Sequence, residues 1–235
     1  MQALRSRTII GIAVVLIAAN MFVYRELFST PPLTVTVLET GKESRAILVR
    51  EKRGATILID TGPDAKILRL LGGAMPEWQR RIDAVVLTRI TADTTGGLPD
   101  VLSRYSIGYL VRSPVAGSRS QEALLAEAVK AEHGLRDAAV SRGMRVTAGK
   151  RLSLEILWPP LQRQARPNAK TMLNYALAFC LSYGDTSFLI ENGLSSAAAS
   201  RLADFGTCSQ APAITISSST PAKVFVSNGK TITAP

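Results

Sequence analysis

Asp60, Asp93 and Asp185 are the carboxylates placed where strand-like runs give way to loops: ILIDTG, TRITADTTGG and YGDTSF. Carboxylates gathered at loop ends are hard oxygen donors, the chemistry of a magnesium or calcium site. Nitrogen donors are almost missing, since His133 is the only histidine in 235 residues. Zinc sites usually draw on imidazole, so composition alone excludes a histidine-rich zinc enzyme. His133 ends a polar helical stretch remote in the chain from the aspartates, and reads as a surface histidine rather than a ligand. Two cysteines complete the inventory. Cys180 lies in the apolar run AFCLSY, where a buried, inert thiol is the expected role. A disulfide to Cys208 is allowed if the compartment is oxidising.

Positive charge is the second chemical feature. Lys and Arg number 28 against 18 Asp and Glu, a net charge of +10, which favours an anionic partner such as nucleic acid or a membrane surface. Lys150, Arg151, Arg163, Arg166 and Lys170 cluster around Glu155. Such a cluster suits a phosphate backbone; the alternatives are a solvated loop or attraction to anionic lipid. Little aromatic interleaving accompanies these cations, so they do not make a single-strand stacking platform.

The elements that would position these residues follow from pattern. Met1–Phe28 carries Arg5 and Arg7, then an uncharged run from Thr8 to Tyr24, then Arg25 and Glu26. That run is at the short end of the roughly 20 residues a spanning helix needs. The leading arginines place the amino terminus in the cytoplasm and the rest of the chain outside. A cleaved signal peptide is the rival, but Ala18-Ala19-Asn20 is a poor cleavage site and Met21–Tyr24 prolongs the apolar run. The expectation is an anchor at 1–28, a stiff linker at 29–32 containing Pro31-Pro32, and one domain at 33–235. Within it, LTVTVLE, RAILVRE and ATILIDTG predict a three-strand meander. A helix is predicted over Asp64–Leu71, ended by Gly72-Gly73, then a strand over Asp83–Arg89 and a loop. Leu98–Tyr105 reads as a short helix, Gly108–Ser113 as a strand, and Ser118–His133 as a helix capped by Ser120 and stopped by Gly134. After Gly143 strands return, with one more helix over Ser195–Phe205. PPLQRQARPNAK, from Pro159 to Lys170, reads as a surface loop.

ILIDTGP followed by DAVVLTRITADTTGGLPDVL resembles the metallo-β-lactamase-type hydrolases. VTVLETGKESRAILV, RGMRVTAGKRLSLEILWPP and YGDTSFLIENGL look more narrowly like the hydrolase-like domain of the DNA-uptake protein ComEC. The resemblance implies an α/β fold, a four-layer αββα sandwich, here preceded by one transmembrane helix. It also implies a site at the loop T-H-x-H-x-D-H-x-G-G, where histidines and an aspartate bind two metal ions, usually zinc. In this chain Arg89, Thr91 and Thr94 stand at the histidine positions, and Asp93 and the two glycines are retained. The later aspartate ligand of the family falls at Glu191-Asn192-Gly193, and the last histidine near Ser217-Ser218-Ser219. The family aspartate matching Asp60 orients the loop. A permanent cation repels zinc and cannot ligate it.

The resulting expectation is a vestigial site of Asp60, Arg89, Thr91, Asp93, Thr94 and Gly193, with no cofactor; zinc or another divalent cation is the alternative. Arg89 is expected to pair with Asp60, Asp93 or both, replacing the metal as counter-charge. The chain is expected to be a membrane-anchored, extracytoplasmic, non-catalytic protein of the inner membrane. It would bind DNA or an envelope protein, in DNA uptake if the resemblance extends to function. No small-molecule substrate is identifiable. A divergent metal-dependent phosphodiesterase is the rival, and a subunit pairing through sheet edges or Ser118–His133 the third reading.

Overall fold

The protein is described by a computed structural model covering residues 2–28, 31–132, 134–160, 173–205, 208 and 213–234. It divides into an amino-terminal unit ending at Pro31 and a folded unit from Pro32 onward. The first is helix α1 (Gln2–Phe28), uncharged and, but for Asn20, mostly apolar from residue 11 to residue 24, with Val15, Met21 and Phe22 all exposed. Among the described residues no helix is long and apolar enough to cross a membrane. The side chains described on α1 are those of residues 11–24, shorter than the run from Thr8 to Tyr24 on which the anchor expectation rests.

In the folded unit, β1 (Leu33–Glu39), β2 (Arg45–Glu51) and β3 (Thr56–Ile59) form the predicted antiparallel meander. From there the chain changes to helical crossovers. α2 (Lys66–Ala74) leads to β4 (Arg81–Leu87); α3 (Ala92–Thr95) and α4 (Leu98–Arg104) lead to β5 (Ser106–Arg112); α5 (Arg119–Ala131) leads to β6 (Arg136–Ala139). β3, β4, β5 and β6 are mutually parallel, as helical crossovers require. The second sheet holds β7 (Arg145–Ala148), β8 (Leu152–Trp158), β9 (Ala178–Tyr183) and β10 (Thr186–Glu191), with α6 (Ser196–Phe205) leading to β11 (Ala213–Ser217). β12 (Val224–Ser227) and β13 (Ile232–Thr233) return to the first sheet. The sheets run β13-β12-β1-β2-β3-β4-β5-β6 and β11-β10-β9-β8-β7.

Strand alternation sorts the apolar residues into three cores. Ile57, Ile59, Val86, Leu154, Phe179 and Phe188 fill the space between the sheets. On the outer face of the first sheet, Leu58, Val85 and Leu87 meet Ile67 and Leu71 of α2, Val101 of α4 and Leu125 of α5. On the outer face of the second, Trp158 and Leu189 meet Ala198 and Leu202 of α6. The layers are therefore helix, sheet, sheet, helix. Each fully buried Leu, Ile or Phe contributes about 1.5–3 kcal/mol of transfer free energy, which makes the central core the main adhesive between the sheets.

Several local expectations are corrected. α2 does not stop before Gly72-Gly73 but runs through both to Ala74. The glycines face open space, while Met75 is buried and donates its N–H to Leu71, so packing outweighs glycine's weak propensity. α5 is capped by Ser118, whose side chain accepts from the Gln121 N–H, not by Ser120. β6 was not foreseen, because its RDAA sequence carries no apolar alternation and is exposed throughout. Cys180 is not a free thiol: it is bonded to Cys208 across 28 residues. The loop expected between Pro159 and Lys170 lies outside the described residues from 161 on, as does His133.

Candidate functional site

The ends of β3, β4 and β10 and the start of β2 converge at one end of the sandwich, and Asp60 sits at their centre. Asp60 is fully buried, with a φ of 56°, a left-handed conformation that aspartate tolerates better than most residues. That turn aims its carboxylate back at the neighbouring strand ends. The Thr88 N–H donates to Oδ1 at 2.8 Å, and the Thr88 hydroxyl donates to Oδ2 at 2.7 Å. The Asn192 amide donates to Oδ2 at 2.7 Å from the other sheet, and also to the Arg45 carbonyl at 3.0 Å. Burial pushes the Asp60 pKa up to about 6, although the Thr88 hydrogen bonds, the nearby Arg89 charge and Asn192 pull it back. Desolvation wins. Asp60 orients strand ends.

The loop after β4 is held by its own hydroxyls. Thr94 Oγ1 donates to the Arg89 carbonyl at 2.7 Å and lies 3.1 Å from Thr91 Oγ1; the Thr91 N–H reaches Thr94 Oγ1 at 3.3 Å. The Thr94 carbonyl accepts both the N–H and the hydroxyl of Thr61, each at 2.9 Å. This ties the loop to the residue beside Asp60. A side chain at Gly96 or Gly97 would run into the backbone of Pro63 or Thr61, which explains the glycine pair.

Arg89 does not pair with either aspartate. Its Nη1 donates to the Gly193 carbonyl at 3.1 Å, and no ion pair joins it to Asp60 or Asp93 among the described residues. The expected counter-charge contact is therefore corrected: Asp60 is satisfied by neutral donors, and Asp93 is exposed on the cleft lining. Gly193, at φ 73°, makes room for the guanidinium; a Cβ there would lie 2.6 Å from both terminal nitrogens of Arg89. Arg89 Nε is buried and has no acceptor among the described residues.

Arg89, Thr91, Asp93 and Gly193 line a cleft of about 760 Å³ with Lys42, Glu43, Arg45, Ser218 and Ser219. Arg45 is committed elsewhere, donating to the Gly41, Ser44 and Thr220 carbonyls and pairing with Glu39 at 3.2 Å. Asp185 lies in the β9–β10 turn, at the opposite end of β10 from Asn192, so the three aspartates do not converge. Lys150 and Arg151 sit in the β7–β8 turn at that same far end, where Arg151 pairs with Glu51 at 3.6 Å. Arg163, Arg166 and Lys170 lie outside the described residues.

These side chains do not fit a metal ion. No three His, Cys, Asp or Glu gather among the described residues, Thr91 and Thr94 hydrogen-bond within their loop, and Asn192 turns a donor toward Asp60. Arg89 puts a fixed cation beside them. The sequence reading missed Thr88, Asn192 and Arg45 as members of this network. The available signal was an asparagine where the resemblance places an acid: a donor in place of an acceptor.

No protein-family model matches the chain, and no curated protein matches its sequence. Solved structures similar to it include metallo-β-lactamase-fold proteins. The fold protein YhfI from Bacillus subtilis is 14% identical with a TM-score of 0.47, over 68% of this chain and 62% of its own. Zn(2+)-bound PqqB from Methylobacterium extorquens is 14% identical with a TM-score of 0.43, over 66% and 52%. Rm3 metallo-β-lactamase is 16% identical with a TM-score of 0.47, over 81% and 77%. The match thus spans less than two thirds of YhfI and of PqqB. Likeness at this level identifies neither an activity nor a ligand.

Proposed function

We propose that this chain is a membrane-anchored, extracytoplasmic binding protein on a hydrolase-like sandwich, without catalysis, and that its cleft takes an oxyanion in place of a metal. One observation carries the reading. The guanidinium of Arg89 lines the cleft with a buried Nε that lacks an acceptor and with no carboxylate partner among the described residues. An unpaired, partly desolvated cation favours an anion, and a planar guanidinium is suited to phosphate or carboxylate. Lys42 and the Ser218 and Ser219 hydroxyls are further cleft-lining groups able to bind one. The anchor part of the proposal rests on Arg5, Arg7 and the uncharged run from Thr8 to Tyr24.

The resemblance to the ComEC hydrolase-like domain makes a DNA phosphodiester the first physiological ligand to try, in an uptake role. The test uses the full chain in detergent, titrated separately with inorganic phosphate, a short single-stranded oligonucleotide and zinc, reading the melting temperature. Phosphate or the oligonucleotide is expected to raise it in a concentration-dependent way, and zinc to leave it unchanged. Stoichiometric zinc retained after purification, or phosphate stabilisation undiminished in Arg89→Met, overturns the reading.

A further inference from the structure

The end of the sandwich opposite the cleft carries a second, larger groove, of about 920 Å³. Its lining includes Arg50, Lys52, Arg53, Arg80, Arg81 and Trp78. The end of β2 (Arg50), the β2–β3 turn (Lys52, Arg53) and the approach to and first residue of β4 (Arg80, Arg81) supply the cations, so strand ends rather than one loop set their spacing. Lys52, Arg53 and Arg80 are exposed, and Arg50, Lys52 and Arg53 make no ion pair among the described residues.

Two acids also line the groove, and both are engaged. Glu51 is buried, accepts from the Tyr183 hydroxyl at 3.1 Å and pairs with Arg151. Asp83 accepts the Thr56 N–H at 2.8 Å and pairs with Arg81 at 3.2 Å. Glu77, beside Trp78 in sequence, is the exposed acid next to it. The surface is strongly cationic, and Lys150 and Arg151 extend it from the β7–β8 turn.

Trp78 is 81% exposed, the most exposed large apolar side chain described in the folded unit. An indole left in water inside a ring of cations is the pattern of an interfacial residue: an apolar body with one polar N–H, at home at headgroup depth. Pro32 lines the same groove. It is where the amino-terminal segment joins the folded unit, and residues 29–32 alone separate α1 from β1.

We infer that this basic, tryptophan-bearing end is a docking face for an anionic phospholipid surface, and that the Arg89 cleft opens at the end turned away from the lipid. This rests on the membrane-anchor reading above. The anchor would hold the face near lipid, and cations next to a membrane are each attracted to anionic headgroups, roughly fivefold in affinity per residue. A lone tryptophan with no second stacking partner argues for lipid over single-stranded nucleic acid, where successive bases need successive rings.

The test reconstitutes the full chain, carrying Trp158→Phe so that Trp78 is the one remaining indole, into vesicles with brominated acyl chains. Phosphatidylcholine alone is compared with phosphatidylcholine containing phosphatidylglycerol. Quenching of Trp78 is expected in the anionic vesicles, reduced in the neutral ones and reduced by salt. The triple variant Lys52→Gln, Arg53→Gln, Arg80→Gln, confirmed folded by circular dichroism, is expected to lose roughly a hundredfold of the face's attraction and most of the quenching. A chain that still floats with phosphatidylglycerol vesicles after a high-salt wash, yet shows no Trp78 quenching in them at low salt, overturns the docking face and leaves the anchor. A chain that fails to float overturns the anchor. Trp78 responding to a single-stranded oligonucleotide in neutral vesicles but not to phosphatidylglycerol assigns the face to nucleic acid and overturns the inference.

Discussion

Asn192, just past β10 in the five-stranded sheet, donates its amide to Asp60, just past β3 in the eight-stranded sheet, at 2.7 Å. This buried bond ties the two sheets together next to Gly193, which lines the cleft. Asp60 also holds Thr88 at the end of β4, so one buried carboxylate fixes three strand ends. The arrangement needs no ion, because each contact is a neutral donor on a carboxylate.

Asn192→Ala is expected to destabilise the domain by about 1–3 kcal/mol, since it removes a buried bond to a carboxylate and leaves the Arg45 carbonyl without that donor. Asp60→Asn should cost a similar amount, because an amide nitrogen would then face the Asn192 donor. The two changes should be strongly non-additive in urea unfolding. Simple additivity would mean that the bond contributes nothing across the sheets.

The pKa of Asp60, raised from 3.8 to about 6, predicts a direction for acid stability. A folded-state pKa above the unfolded one means that the native state holds the proton more tightly. The Asp60 contribution is then fully present below about pH 4 and is lost as pH rises through 6. Its size is of order 3 kcal/mol by linkage. Unfolding free energies from pH 4 to 7 should show this falling component, and Asp60→Asn should lack it. A slope unchanged by the substitution would assign it to other groups.

The Cys180–Cys208 bond closes a loop of 28 residues between β9 and the segment after α6. Chain-entropy reasoning gives about 3–4 kcal/mol for such a loop. Reduction, or Cys208→Ser, should lower the melting temperature accordingly, and free-thiol titration of the unreduced chain should find none. Two free thiols per chain would count against the bond.

The opening meander and the helical layers outside two packed sheets were legible because they depend on apolar runs and periodicity; the strand order was not, and β6 carries no alternation to mark it. α2 was legible in place but not in extent, since the buried Met75 that prolongs it lies beyond two glycines. The disulfide was not legible, because Cys180 sits in a run that looks like any core strand and α6 decides where Cys208 falls. At the site, the lack of histidines was plain in the residues. The partner of Arg89 was not: pairing by charge pointed to an aspartate, whereas Gly193, by lacking a side chain, opened a place against a backbone carbonyl.

Arg89→Met separates the roles assigned to this residue. If Arg89 were the counter-charge of a buried aspartate, its loss would cost several kcal/mol at every pH where the carboxylate is ionised. Without a direct ion pair, the geometry predicts a smaller cost of the same sign. Asp60 keeps its three donors in the variant, and the lost bond is one from Nη1 to a carbonyl, so stability below about pH 4 should change by less than about 1 kcal/mol. The nearby cation does lower the Asp60 pKa, so removing it should move that pKa above 6. The sign follows: a higher folded-state pKa extends the loss of stability to higher pH, so wild type and variant should coincide in acid and diverge toward pH 7. Phosphate stabilisation should vanish in the same variant. A loss of several kcal/mol already present at pH 4 would show that Arg89 is structural in its own right, whatever the charge on Asp60.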